Sequence, residues 1–247
     1  MASFCYDKRM TDSRTNGPYK PTVSDEYAGK LKQWQDNIYE ESKTKTTKNI
    51  EFLRKTFVVP PEVHPINPMS DLLGNSVLNE VKEADKVLDM GTGCGVNAIL
   101  AASKSKDVVA VDINPHSIEA AKKNARTNHV DSRIDFAESD VFESVEGKFD
   151  LIIFDPPFRW FKPRSVSESS TTDENYQALT RFFANVHEYL KPGGRILLCF
   201  GSSGDIGYLD QLIGKSGLHK ETIAQRDLAK DDIAVSYFTF RLTPVAQ

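Results

Sequence analysis

Strand-like and helix-like segments alternate along most of the chain. The strand-like segments are short and rich in apolar or β-branched residues: KVLDM, VVAVD, RIDFAE, FDLIIF, RILLCF, HKETIA and AVSYFTFRL. Helix-like segments lie between most of them: VNAILAASK, PHSIEAAKKNARTN, NYQALTRFFANVHEYL and DIGYLDQLIGKS. A further helix is predicted over residues 72–84, before the first strand. This alternation is typical of a parallel sheet with helices on both faces.

The last two strand-like segments depart from this alternation. About nine residues separate them, whereas a parallel crossover needs about a dozen or more. The pair is therefore predicted to be antiparallel. The predicted fold class is α/β, with a doubly wound, mostly parallel, seven-stranded sheet whose last strand is antiparallel.

The start of the chain is more polar than the rest. We predict a division near residue 57, into a polar tail with an amphipathic helical extension over residues 1–56 and a main domain over residues 57–247. An apolar stripe at helical spacing follows Ser24, a candidate N-cap, and consists of Tyr27, Leu31, Trp34 and Ile38. Such a stripe usually packs on the adjoining domain; a lid or a dimer contact is the alternative.

Composition and charge narrow the class of protein. With 39% hydrophobic and 27% charged residues the chain is ordinary for a globular protein, and its net charge of −4 argues against a dedicated nucleic-acid binder. Cys5, Cys94 and Cys199 show neither disulfide nor metal spacing, which is typical of the reducing cytoplasm. No signal peptide or membrane-length apolar run is recognisable. We expect a cytoplasmic protein with no membrane partner and no metal.

A glycine-rich loop joins the first of the core strands to a helix, in VLDMGTGCGVNAIL. Gly91, Gly93 and Gly95 let a ligand approach the backbone, but Val96 breaks the dinucleotide fingerprint G-x-G-x-x-G, and no P-loop motif occurs. Asp89 precedes the loop by two residues. A carboxylate there would repel a pyrophosphate and attract a ligand that carries an ammonium and a sulfonium group, so a cationic ligand is favoured.

Acids follow the next two strands as well. Asp112 lies 23 residues after Asp89, at the tip of its strand, where a carboxylate can accept hydrogen bonds from a ribose diol. Asp140 follows the third strand in ESDVF. It is placed to accept from an adenine amino group, although a loop acid or helix cap is the alternative. In open α/β sheets the carboxyl ends of the strands line the ligand crevice.

The fourth strand ends in DLIIFDPPF, with Asp155 directly before two prolines. Proline fixes its own backbone, restricts the residue before it and removes an amide donor. The predicted result is a rigid corner that can only accept hydrogen bonds, suited to an NH2 group. Phe158 offers a face on which a planar amide or base can stack. A stiff turn without a ligand is the alternative for the tripeptide alone.

These four motifs resemble those of class I S-adenosylmethionine-dependent methyltransferases, and more narrowly the small-domain group that methylates nitrogen. The resemblance covers roughly residues 57–242 and implies a Rossmann-like methyltransferase fold with S-adenosyl-L-methionine as cofactor. The implied cofactor-binding residues are Asp89, Gly91, Thr92, Gly93, Gly95, Asp112, Ile113, Asp140, Val141 and Asp155. The implied catalytic residues, which would hold the acceptor nitrogen, are Asp155, Pro156, Pro157 and Phe158.

The methyl acceptor stays open at this point. The Asp-Pro-Pro-Phe motif is similar to that of bacterial rRNA guanine-N2 enzymes, whereas the glycine loop is more like the protein-methylating branch. The expected substrate is a protein Gln or Asn or a nucleobase, with a small metabolite or a non-catalytic scaffold as alternatives. The loop over residues 159–174 holds basic and aromatic residues next to the corner. It could grip a nucleotide, cap a small molecule or simply anchor itself.

Overall fold

The computed structural model describes residues 19–67, 69–230 and 233–245. The polar tail predicted for the first 20 residues therefore lies almost wholly outside the described part of the chain. No helix in that part is both long enough and apolar enough to cross a membrane.

A seven-stranded sheet forms the centre of the molecule. Its strands are β3 (Lys86–Met90), β4 (Asp107–Asp112), β5 (Ile134–Glu138), β6 (Phe149–Phe154), β7 (Leu190–Gly201), β8 (Leu218–Lys230) and β9 (Ile233–Pro244). The strand order is β5-β4-β3-β6-β7-β9-β8, and β9 runs antiparallel to both of its neighbours. The predicted mostly parallel sheet with an antiparallel last strand is confirmed.

Six α-helices belong to the described residues: α1 (Asp25–Ser42), α2 (Ser70–Glu80), α3 (Val96–Ala102), α4 (Pro115–Thr127), α5 (Gln177–Tyr189) and α6 (Ile206–Lys215). Two apolar clusters hold them against the sheet. Leu31, Phe182 and Leu209, from α1, α5 and α6, belong to one cluster. Leu73, Ile99 and Ala125, from α2, α3 and α4, belong to the other. The sheet is thus covered on both faces, as a parallel sheet requires.

The N-terminal helix begins where the sequence predicts. The Ser24 side chain accepts a hydrogen bond from the Tyr27 amide at 3.3 Å and so caps α1. Leu31 is fully buried, and Tyr27 and Trp34 pack against the same cluster. The helix therefore packs on the main domain. The unexpected buried position on this helix is polar, since Gln35 is only 1% exposed.

A β-hairpin precedes the sheet, and sequence reasoning missed it. Strands β1 (Lys48–Phe52) and β2 (Lys55–Val59) pair antiparallel through a tight turn whose two residues both have positive φ, 47° at Leu53 and 63° at Arg54. Such turns favour glycine and asparagine, so Leu-Arg gives no turn signal. The hairpin spans residue 57, and the division predicted there stays a prediction.

Two asparagines one helical turn apart attach the hairpin to α4. The side-chain amide of Asn124 accepts from the Val58 amide at 2.8 Å and donates to the Val58 carbonyl at 3.0 Å. Asn128 forms the same pair of bonds with the backbone of Thr56, at 3.2 and 2.8 Å. Their spacing of four residues puts both amides on one helix face, where they satisfy the edge of β2 as another strand would.

Candidate active site

The predicted site residues gather at the carboxyl ends of the parallel strands. Asp89 is in β3, Asp112 ends β4, and Asp155 directly follows β6. The strand order reverses between β3 and β6, because the chain runs outward from β3 through β4 to β5 and then returns to the other side of β3. In open α/β sheets this reversal opens the crevice in which ligands bind.

The glycine loop forms one wall of this crevice. Its three glycines all have positive φ, at 70° for Gly91, 56° for Gly93 and 90° for Gly95. A Cβ added at Gly91 or Gly93 would meet no atom within 4 Å, so both face open space. A Cβ at Gly95 would lie 3.0 Å from the Cβ of Ala121, so this glycine serves the packing of α3 against α4. Only the first two leave room for a ligand.

Asp89 holds the loop to the helix that follows it. Its Oδ2 accepts from the Thr92 hydroxyl at 2.7 Å and from the Ala98 amide at 2.9 Å. The side chain is 1% exposed, and burial raises its pKa to about 7, to which the charges of Asp112 and Asp155 also contribute. A cation in the crevice would stabilise the charged form of this carboxyl group.

Asp112 links the glycine loop to the end of β4. Its Oδ2 accepts from the Gly93 amide at 2.9 Å and its Oδ1 from the Asn114 amide at 2.8 Å. Burial raises the pKa of this carboxyl group, and the two backbone amides oppose the shift. The next residue, Ile113, is an apolar side chain left 54% exposed at the same edge. An exposed apolar side chain beside a fixed carboxylate suits a nucleoside, whose base is flat and whose sugar is polar.

Asp140 and Val141 occupy the turn after β5. Asp140 accepts from Nη2 of Arg181 at 2.6 Å, so one of its oxygens already has a partner. Val141 has a φ of 54°, which is costly for a β-branched residue. The hydroxyl of Ser139 donates to the Val141 carbonyl at 2.9 Å and steadies the turn. The adenine contacts expected of Asp140 and Val141 stay a prediction.

The Asp155–Phe158 corner follows β6, the neighbour of β3 on the side away from β4. Asp155 is exposed at the surface, Pro156 is buried, and Pro157 and Phe158 are half-buried. Desolvation by the surrounding protein raises the pKa of the Asp155 carboxyl group to about 6, and a hydrogen bond with the Cys199 thiol opposes the shift. The Phe158 ring packs beside Phe200 and Tyr237, with centroid distances of 5.2 and 6.0 Å.

Buried polar residues form hydrogen bonds with the backbone of the corner, and no sequence motif predicted them. The hydroxyl of Tyr176, a fully buried residue, donates to the Phe158 carbonyl and accepts from the Asp205 amide at 2.8 Å. The Asp205 carboxylate accepts from the Tyr19 hydroxyl at 2.9 Å and the Thr22 amide at 2.7 Å. These partners lie as many as 186 residues apart in the chain. No local pattern signals contacts at such separations.

The loop after the corner docks on the N-terminal helix. Gln35 donates through Nε2 to Glu168 at 2.9 Å and to Thr171 at 3.0 Å. Arg164 pairs with Asp36 at 3.0 Å and with Glu168. The buried side of α1 thus contacts the segment that follows the candidate acceptor site.

The crevice as a whole suits a cationic nucleoside better than an anion. Asp89, Asp112 and Asp155 all have raised pKa values, and glycine backbone leaves open space above them. Adding a positive ligand would relieve the cost of keeping these carboxylates charged. Within the described ranges no group of three or more His, Cys, Asp or Glu side chains is arranged to hold a metal ion.

Comparison with known proteins agrees with this chemistry. A family model for the methyltransferase small domain matches residues 65–222. A Methanocaldococcus jannaschii protein, named as a candidate protein N5-glutamine methyltransferase, is 41% identical over 145 residues, 54% of this chain and 70% of that protein. Ribosomal RNA small subunit methyltransferase C of Haemophilus influenzae is 33% identical over 129 residues, 51% of this chain and 35% of that protein.

Solved structures support the fold. Methanocaldococcus jannaschii Trm5, crystallised in complex with adenosine, matches with a TM-score of 0.60 and 22% sequence identity, over 80% of this chain and 55% of Trm5. The fold with its mostly parallel sheet is therefore shared with this solved structure. The chain belongs to the methyltransferase small-domain family of class I methyltransferases, and its cofactor is S-adenosylmethionine.

Proposed function

We propose that the protein methylates an amide or amino nitrogen, in a protein or a nucleic acid, which the Asp155–Phe158 corner holds. The observation that carries this proposal is the position of Asp155. It directly follows β6 at the point where the strand order reverses, in the same crevice as the glycine loop and close enough to Asp89 to raise its pKa. An acceptor held there would lie beside the cofactor site.

For methyl transfer, the corner must orient the lone pair of the acceptor nitrogen. A charged Asp155 accepts an N–H bond from the acceptor, and such charge-assisted bonds are the strong ones. With its N–H groups bonded to the corner, the nitrogen presents its lone pair toward the methyl group. The proton that the nitrogen loses on methylation would leave along its hydrogen bond to the Asp155 carboxylate. Phe158 would stack on the flat amide or base. Catalysis then comes mainly from placing the two reacting atoms about 3–3.5 Å apart.

Other residues of the crevice are proposed to hold the cofactor. S-adenosylmethionine supplies an electrophilic methyl group on its sulfonium. Gly91 and Gly93 leave room for its methionine part, and Asp89 provides negative charge beneath them. Asp112 is placed for the ribose hydroxyl groups and Ile113 for the adjoining base. Asp140 and Val141 are proposed at the adenine edge, where the Arg181 pair leaves one carboxylate oxygen of Asp140 available.

A labelling assay tests the class of acceptor. The purified protein and methyl-labelled S-adenosylmethionine are incubated with the RNA, protein and small-metabolite fractions of a cell extract, and label retained in each fraction is counted. Label in RNA or protein that survives as an N-methylated base or residue supports the proposal. Label only in the small-metabolite fraction would contradict it, and heat-denatured protein is the control.

A further inference from the structure

Arg159 directly follows the acceptor corner and is almost completely enclosed, with 6% of its surface exposed. Its Nη1 donates to Oε1 of Gln35 at 2.7 Å, and its guanidinium carbon lies 4.6 Å from the centre of the Trp34 ring. Its Nε is buried and has no hydrogen-bond acceptor among the described residues. A guanidinium offers five N–H donors in a fixed fork, so most of its donors are unused by the described part of the chain.

No carboxylate of the described residues lies within ion-pair distance of Arg159. The neighbouring Arg164 differs, because it pairs with both Asp36 and Glu168. Glu168 is separated from Arg159 by the neutral amide of Gln35, which bonds to both. Burial lowers the pKa of Arg159 to about 10. An enclosed charge without a counter-charge is costly, and a ligand that supplies the opposite charge would offset this cost.

Further basic groups lie on the same side of the corner. Nδ1 of His64 is 3.4 Å from the hydroxyl of Ser170. Ser170 and Lys45 line one small cavity together with Glu168, whose carboxylate is paired with Arg164. Arg159 and Lys45 both lower the pKa of His64, although burial is the larger cause. Burial lowers the pKa of Lys45, and the charge of Glu41 opposes this shift. Two cations close to a neutral histidine and a hydroxyl group form a typical setting for a bound oxyanion.

We propose that Arg159 forms an anion subsite beside the acceptor corner and binds the phosphate of a nucleotide whose base is the methyl acceptor. This proposal rests on the proposed function and narrows it to one class of acceptor. A glutamine or asparagine in a protein brings no anion of its own, whereas each nucleobase of a nucleic acid has a phosphate on its sugar. The half-buried Phe158 ring beside Tyr237 offers that base an aromatic surface.

The test is a binding measurement that needs no turnover. Calorimetry with S-adenosylhomocysteine present compares the four nucleoside 5′-monophosphates with the four nucleosides, and a random-sequence RNA oligomer forms a separate arm. We expect at least one nucleotide to bind about 10- to 100-fold more tightly than its nucleoside, since one or two charge-assisted hydrogen bonds are gained. Binding of RNA alone, lost on changing Arg159, would identify the polymer as the source of the phosphate.

Variants of one residue make the result specific. In Arg159→Gln the ratio of nucleotide affinity to nucleoside affinity should fall to about one. Arg159→Lys should restore part of this ratio, because lysine returns the positive charge but not the paired N–H donors of the guanidinium. Arg126→Gln, on the exposed face of α4, is the matched control and should bind as the wild type does. Cofactor affinity equal to that of the wild type shows that each variant is folded.

Two results would overturn the subsite. One is equal affinity for every nucleotide and its nucleoside, together with unchanged RNA binding by Arg159→Gln. The other is methylation of protein alone, at a rate that Arg159→Gln does not alter. The second result would leave the proposed methyltransferase function standing, so the two proposals fail separately.

Discussion

Asp112 and Asp155 lie at the same edge of the sheet as Asp89 and disfavour its charged form. The pKa of Asp89 is raised first by burial and then by the other two carboxylates. A cation that enters the crevice reverses this effect, because it favours the charged form of all three. At the scale of single residues the site is therefore prepared for a positive ligand before that ligand binds.

The protonation state of Asp155 should set the acid side of the activity profile. Its pKa is raised to about 6, so the protonated fraction grows as the pH falls through that value. A protonated carboxyl group loses acceptor strength for an N–H group. The value of kcat/KM for the cofactor, which reports groups of the ligand-free protein, should therefore drop below about pH 6. Measuring kcat/KM between pH 5 and 8 checks this. A rate that stays flat across that range would contradict the assignment of Asp155.

Removing Asp112 should weaken cofactor binding. The carboxylate would bond two ribose hydroxyls, so Asp112→Ala should cost roughly 2–4 kcal/mol of binding free energy for S-adenosylmethionine. Asp112→Asn keeps an oxygen that can accept from the Gly93 amide. It therefore distinguishes the contribution of Asp112 to the glycine loop from its contribution to ribose binding. Calorimetry on both variants measures the effect. Wild-type affinity in the alanine variant would remove Asp112 from the cofactor site.

Sequence reasoning located these three acids because strand ends are predictable. The carboxyl ends of neighbouring parallel strands meet at one edge, so an acid after each strand must approach the others. It missed Tyr176, Asp205 and Gln35, which support the corner through partners far away in the chain. Such residues look like ordinary loop or helix positions until the fold brings their partners to them.

At the scale of elements, the three glycines of the loop have separable tasks. Gly95→Ala combines a positive φ with a Cβ 3.0 Å from Ala121, and should lower the free energy of unfolding by about 2–4 kcal/mol. Gly93→Ala has only the backbone cost, about 1–2 kcal/mol, but should weaken cofactor binding because its Cβ enters open space.

Gly214→Ala is the control for this comparison. It lies in α6, with an ordinary φ and no atom within 4 Å of the added Cβ, so it should stabilise the protein by about 0.5–1 kcal/mol. Urea unfolding and calorimetry measure stability and affinity in all three variants. The assignment fails if Gly95→Ala is as stable as the wild type, or if Gly93→Ala binds cofactor normally.

The hydrophobic pattern predicted all seven strands of the main sheet and the reversed pair at its end. It placed the helix before the sheet at residues 72–84, whereas α2 runs over Ser70–Glu80. The pattern did not predict the β1–β2 hairpin, because β1 is a polar, largely exposed strand with Leu-Arg at its turn. Strands of that kind depend on contacts elsewhere, here the asparagines of α4, rather than on their own pattern.

At the scale of the whole molecule, burial of Asp89 links stability to pH. Its pKa rises from an ordinary value in the unfolded chain to about 7 in the folded protein, so the folded state binds more protons between about pH 4 and 7. Stability from this group is therefore lost as the pH increases through that window, by up to about 4 kcal/mol. Asp112 and Asp155 contribute in the same direction.

The Asp89→Asn variant isolates this contribution, because an amide oxygen can still accept from Thr92 and Ala98. The free energy of unfolding is measured in denaturant at pH 5 and pH 8 for both proteins. The wild type should lose stability relative to the variant between the two pH values. Parallel pH dependence in the two proteins would show that Asp89 is charged in the folded state throughout.

The acceptor side of the molecule is assembled from distant parts of the chain. The segment Tyr19–Thr22 bonds to Asp205, and α1 bonds to Arg159 and to the loop that follows it. The division near residue 57 stays a prediction. Residues before that position help to build the surroundings of the corner.

Asp155 is proposed to hold the acceptor nitrogen. The direct measurement is the single-turnover methylation rate together with the calorimetric affinity for S-adenosylmethionine, in the wild type, Asp155→Ala and the exposed control Asp135→Ala. We expect a rate about a hundredfold or more lower in Asp155→Ala, with cofactor affinity nearly unchanged, and wild-type behaviour in the control. A normal rate in Asp155→Ala would show that Asp155 does not hold the acceptor.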